Sequence, residues 1–176
     1  MRMKNVLMLG MAAILIAGCQ KSSNDPVSPG NAAPRTEVPV NLVGTWYNGS
    51  VSLTNFFNPT TGEWSNAVGN GSFYRFYKNG TFEFGWQMHV SLYGCTNTGM
   101  VYRQGTVVVQ DSVLVLYDQY ARVMGQDNCN PSKNYEKPGT ISTETLVVQP
   151  GVDEWGNPGL LLRGPNTSYS WFLREM

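Results

Sequence analysis

Between residues 81 and 92 apolar and polar side chains alternate without a break. Phe82, Phe84, Trp86, Met88, Val90 and Leu92 fall on one side, with Thr81, Glu83, Gly85, Gln87, His89 and Ser91 between them. A period of two over this length predicts a half-buried β-strand, since a helix would scatter the same side chains around its axis. Shorter stretches of the same kind predict strands over 43–54, 71–77, 99–109, 112–120, 143–149, 158–163 and 168–174, which with 81–93 makes eight. Asn79-Gly80 joins the second and third. A two-residue turn there would place Arg75 opposite Phe84, on the apolar face. A three-residue loop with Gly80 in the left-handed region places Phe76 opposite Phe82, Tyr74 opposite Phe84 and Arg75 opposite Glu83. The second register is expected, because the first must find a home for an inward charge.

Strands that run up and down in chain order sort their connections onto two rims. Loops 55–70, 94–98, 121–142 and 164–167 share one rim, and they include the longest. The other rim holds Trp46, the tight Gln110-Asp111 turn, loop 150–157 and Arg174. Phe56, Phe57 and Trp64 lie in the first long loop, and Tyr120 and Tyr135 flank or lie within another. Rings at such a rim close over a ligand or touch a partner; the alternative is that they cap the core.

Composition fits the strands. Charged residues are only 14% and aromatics 12%, with 19 glycines and 10 prolines, which suits an all-β domain. A formal net charge of zero leaves no electrostatic footprint for nucleic acid. Catalytic chemistry is sparse: His89 is the only histidine, on a polar strand face, and there is no Gly-x-Ser-x-Gly elbow. No enzyme activity and no cofactor are expected. Asp127, Asn128 and Asn130 read as a plain turn or a weak calcium site, and one histidine without Cys-x-x-Cys argues against zinc.

The N-terminus changes the picture. Arg2 and Lys4 precede an apolar run from Val6 to Ile16, too short for a bilayer span of ~20 helical residues, so residues 1–18 read as a secretory signal. Ile16-Ala17-Gly18-Cys19 resembles the bacterial lipobox, which implies lipidation (palmitate among the acyl groups) at Cys19. Gln20 in place of aspartate implies the outer membrane, on its periplasmic face or at the cell surface. Residues 19–40 carry Pro26, Pro29, Pro34 and Pro39 and no aromatic residue, so they read as a flexible leash ahead of a folded domain at 41–176. With Cys19 committed to lipid, Cys95 and Cys129 are left to pair in an oxidising compartment; two unpaired thiols or half a metal site are the alternatives.

Val43-Gly44-Thr45-Trp46-Tyr47, at the head of the first strand, resembles the opening shared by lipocalins, fatty-acid-binding proteins and avidins. With the Asn79-Gly80-Thr81-Phe82 hairpin and the closing Trp171-Phe172-Leu173-Arg174, residues 42–175 look like a minimal lipocalin-like domain. The resemblance implies an eight-stranded antiparallel up-and-down β-barrel with Trp46 plugging the closed end beneath Arg174. The alternative for Arg174 is an exposed terminal side chain. In avidins the asparagine at the position of Asn48 contacts biotin, but their later pattern is missing here. Two functions follow as expectations: an envelope lipoprotein that binds or carries a small apolar ligand at its open rim, or one with a filled barrel that presents the rim loops to another envelope protein.

Overall fold

The computed structural model describes residues 33–51, 56–65, 69–164 and 168–175. The expected signal at 1–18, Cys19 and the leash through residue 32 lie outside these residues, as does part of two rim loops. Eleven strands follow in order: β1 (Gly44–Gly49), β2 (Phe57–Asn58), β3 (Glu63–Trp64), β4 (Gly71–Phe76), β5 (Thr81–Leu92), β6 (Cys95–Gln110), β7 (Val113–Asp127), β8 (Tyr135–Pro138), β9 (Thr143–Val152), β10 (Pro158–Arg163) and β11 (Ser170–Arg174). The eight long ones match the eight expected from the sequence. Each pairs antiparallel with the next long strand, and β1 also pairs with β11, so backbone hydrogen bonds ring through eight strands.

The register at Asn79-Gly80 is the three-residue one. Phe76 faces Phe82, Tyr74 faces Phe84, and Arg75 faces Glu83. Gly80 sits at φ +81°, Tyr77 donates its N–H to Thr81 O at 3.0 Å, and Asn79 Oδ1 accepts from the N–H of Thr81 at 3.1 Å. Outside the sheet Arg75 Nη1 meets Glu83 Oε2 at 3.1 Å. Inside, Trp46, Tyr74, Phe76, Phe82, Leu114, Leu116, Leu146, Val148, Leu160, Leu162 and Phe172 form one buried cluster. These side chains come from every long strand except β6, which adds Val107.

Strands β1, β4 and β11 hold Trp46 in this buried cluster. Trp46 Nε1 donates to Leu42 O at 2.8 Å, the Arg174 guanidinium lies 5.3 Å from the indole centroid, and Arg174 Nη2 donates to Val43 O at 3.0 Å. The segment just before β1 is bound at the same end. Thr36 donates its N–H to Val107 O at 3.0 Å, Val38 donates to Lys78 O at 3.2 Å, and Val38 is buried in the core. The packed chain therefore begins inside the stretch expected to be leash. Past its pairing with β5, the end of β6 has an open edge, where Thr36 bonds Val107 O and the Val109 N–H and Pro34 O accepts from the Thr106 hydroxyl.

At the opposite end two of the expected loops are largely strand. β4 covers β5 only as far as Gln87, yet β5, β6 and β7 run on past that point as an arm. The arm turns at Tyr93-Gly94, both at positive φ (51° and 81°), and β8 lies along its far edge against Arg122 to Gly125. Cys95 and Cys129 are joined there as a disulfide across 34 residues. Alternation missed this extension because Thr96, Asn97 and Thr98 are polar on both faces, so pairing rather than burial makes them a strand.

Candidate functional site

A charged cluster stands on the inner face of the ring. Arg103 of β6 points inward, with Phe84 4.3 Å beneath its guanidinium. Its Nη2 meets Glu144 Oε2 at 2.7 Å and its Nη1 meets Asp118 Oδ2 at 3.4 Å. Asp118 is fully buried at its side chain, and Ser142 supplies its Oγ at 2.8 Å and its N–H at 3.2 Å to the same oxygen. Tyr74 lies beside this group, and burial pushes its phenol above the ordinary tyrosine range. The cluster ties β6, β7 and β9 together where apolar packing ends. Sequence reading missed it, although Arg103 stands four residues from the inward Val107, on the same strand face.

Beyond this cluster the β5 side of the arm's inner face is apolar and uncovered. Trp86, Met88, Val90 and Leu92 are 37, 39, 47 and 63% exposed, an unbroken row along β5. Across the arm, Trp86 aligns with Val101 and Val123, and Met88 with Gly99 and Gly125. Trp86 leans to within 3.4 Å of the place a Cβ on Gly99 would occupy, and the Tyr135 ring lies directly over Gly125. Two facing glycines thus floor a cleft of about 260 Å³, with Met88 on one side, Tyr135 and Lys133 on the other, and the polar Asn97, Thr98, Gln126 and Asp127 completing its wall. Lys137 Nζ stands 5.3 Å from the Tyr135 centroid. The neighbouring edge of β5 is closed to a further strand at His89, whose N–H and C=O are both taken by the Asn70 side chain, at 2.6 and 3.2 Å.

Of the rim aromatics read from the sequence, only Tyr135 borders this face. Phe56, Phe57 and Trp64 belong to the β2–β3 hairpin, which folds over the outside of the ring. There Phe56 meets Phe73 at 5.2 Å, Phe57 meets Tyr102 at 4.9 Å, and the two phenylalanines are buried. Tyr120 joins them, 6.1 Å from Phe57. Its position follows from a bulge: Gln104 pairs with Tyr120 but Gly105 with Asp118, so Gln119 is the extra residue. Unbroken alternation from Leu114 and Leu116 would have turned Tyr120 inward. These four rings cap an outer core instead of lining a mouth.

The remaining candidates are spent on structure. Asn48 Nδ2 donates to Trp171 O at 2.7 Å, and His89 Nδ1 lies 3.2 Å from Thr98 Oγ1. Asp127 Oδ1 accepts from the N–H groups of Cys129 and Asn130, both at 3.0 Å, which makes this segment a turn. At the arm's edge Arg122, 2.6 Å away, holds the Glu136 carboxyl below its ordinary range. Among the described residues no three His, Cys, Asp or Glu side chains are placed to hold a metal ion. No helix among them is long and apolar enough to cross a membrane, which says nothing of strands. Comparison of the chain with family models, with curated proteins and with solved structures finds no match.

Proposed function

We propose that this is a lipid-anchored envelope protein, held through Cys19, whose ring is a packed scaffold and whose working surface is the inner face of the β5–β8 arm. We read the ring as a lipocalin-like barrel; the support is Trp46 beneath Arg174 at the closed end, as the Gly44-Thr45-Trp46 opening implies. The observation that carries the functional reading is a contrast. Opposing side chains meet within the ring, whereas Trp86, Met88, Val90 and Leu92 stand uncovered in one row beside a glycine-floored cleft. An apolar row of this kind on a monomer marks a contact surface. The partner is a protein of the envelope that seats an apolar side chain between Met88 and Tyr135. It approaches the face and not the strand edge, because Asn70 already occupies the edge.

The cleft itself favours a second reading, in which a small apolar ligand takes that place. Its volume of about 260 Å³ lies just below the usual range for ligand sites, which begins at about 300 Å³. A photo-crosslinking residue at Met88, tested in the native host, separates the readings. A protein adduct that Val90→Asp abolishes supports the first. Lipid or small-molecule mass on the protein supports the second. No adduct beyond that from a probe at Thr145, on the outer face, removes both.

A further inference from the structure

The β9–β10 turn, at the closed end, presents a bare tryptophan on a stiff support. Trp155 is 77% exposed at the apex of the turn, and Val152 beside it is 67% exposed. The turn is held by one carboxylate: Asp153 Oδ1 accepts the N–H of Trp155 at 2.9 Å and of Asn157 at 2.7 Å, and Oδ2 accepts Asn157 Nδ2 at 2.9 Å. Backbone bonds from Asp153 to Asn157 O and from Gly156 to Asp153 O complete it, with Gly156 at φ +83°. The backbone that carries the indole is therefore held by several hydrogen bonds, so the turn itself is ordered before any contact is made. A surface tryptophan on a flexible loop could fold back onto the domain; this one is aimed away from it.

The same end is where the described chain begins. Val148 N–H bonds Ser112 O at 2.7 Å, which sets the β9–β10 turn past the β6–β7 turn, and Thr36 is bound to Val107 and Val109 on the strand leading into that turn. Val40, between this segment and β1, is 85% exposed. Residues 20–32 separate Cys19 from Ala33. A chain of that length spans at most ~45 Å when fully extended and ~20 Å as a flexible coil. An acyl anchor on Cys19 would hold Val40 and Trp155 within reach of the bilayer surface. Indole rings, with an apolar body and one N–H donor, partition to that boundary. The acids at this end (Glu37, Asp111, Asp153, Glu154, Glu175) outnumber its cations (Arg35, Lys78, Arg174), so attraction to anionic headgroups is not the driving force.

We propose that the closed end of the ring rests in the interface of the bilayer that anchors the chain, with Trp155 inserted and Val152 and Val40 beside it. The inference rests on the lipid-anchor reading of Cys19 and assigns the closed end a role that reading does not contain. The test uses full-length protein from its own host, and the mass of its N-terminal peptide first establishes whether Cys19 is acylated. Absence of acyl mass removes the anchor reading itself. Acylated protein is then placed in zwitterionic vesicles with lipids brominated near the headgroup, and the emission lost in Trp155→Phe is taken as the Trp155 signal. That signal is expected to fall by roughly half in brominated vesicles, and equally at high salt. A Trp155 signal unchanged by bromine and freely quenched by aqueous iodide overturns the proposal even with Cys19 acylated. Shielding that requires added envelope protein overturns it too, and points to a protein at this end.

Discussion

Phe73 needs the space that Gly85 leaves. A Cβ on Gly85 would collide with the Phe73 ring, which carries the outer aromatic cluster across the sheet. Gly85→Val is expected to cost about 1–3 kcal/mol, the usual penalty of overpacking, measured as a shift of the urea midpoint. Asp118 presents the opposite case, a charge whose neighbours are already committed. Asp118→Asn leaves Ser142 and Arg103 facing a neutral amide and should cost about 3 kcal/mol, whereas Glu144→Gln, at the wetter end of the same cluster, should cost less. Tyr74 and Tyr102 set the alkaline limit. Burial raises both phenols above the ordinary range, so they stay protonated in the fold after the unfolded chain has ionised. Their contribution is complete below about pH 10 and is lost as pH rises further, by about 1.4 kcal/mol per pH unit for each. The combined Tyr74→Phe and Tyr102→Phe variant should flatten that decline in unfolding curves taken between about pH 9 and 11.

Among the elements, the β4–β5 hairpin was legible because two local signals agreed, Asn79-Gly80 and the alternation on either side of it. The β7 bulge was not. It is set by the pairing of Gly105 with Asp118, a contact with no trace in the local pattern, and it carries Tyr120 to the outer core. The arm was hidden for a related reason: its distal strands are held by cross-strand hydrogen bonds and the Cys95–Cys129 bridge, while their side chains are polar or bare. Replacing both cysteines with serine should cost about 3–4 kcal/mol by loop entropy. Hydrogen exchange should show the loss concentrated in residues 91–99 and 124–129, with the ring core still protected.

For the whole molecule, the order of strands could be read from the chain, since short turns force neighbours to pair. The division of labour between its ends could not. Rim aromatics drew attention to loops that turn out to pack on the outside, while the uncovered row on β5 had looked like ordinary core alternation. Nothing in a period of two says where the partner strand stops, and β4 stops at Gln87.

The seam of the ring, Trp46 beside Arg174 and Tyr47 beside Leu173, joins the first long strand to the last. A contact between residues 128 positions apart is among the costliest in loop entropy and forms late in folding. The nascent chain can build its hairpins as they emerge, but it cannot close before residues 170–174 are made. Removing those residues should leave Trp46 solvent-accessible, with red-shifted emission, while the β5–β7 hairpins persist. Closure of the ring is thereby deferred until its last strand has been made, which keeps the chain threadable up to that point.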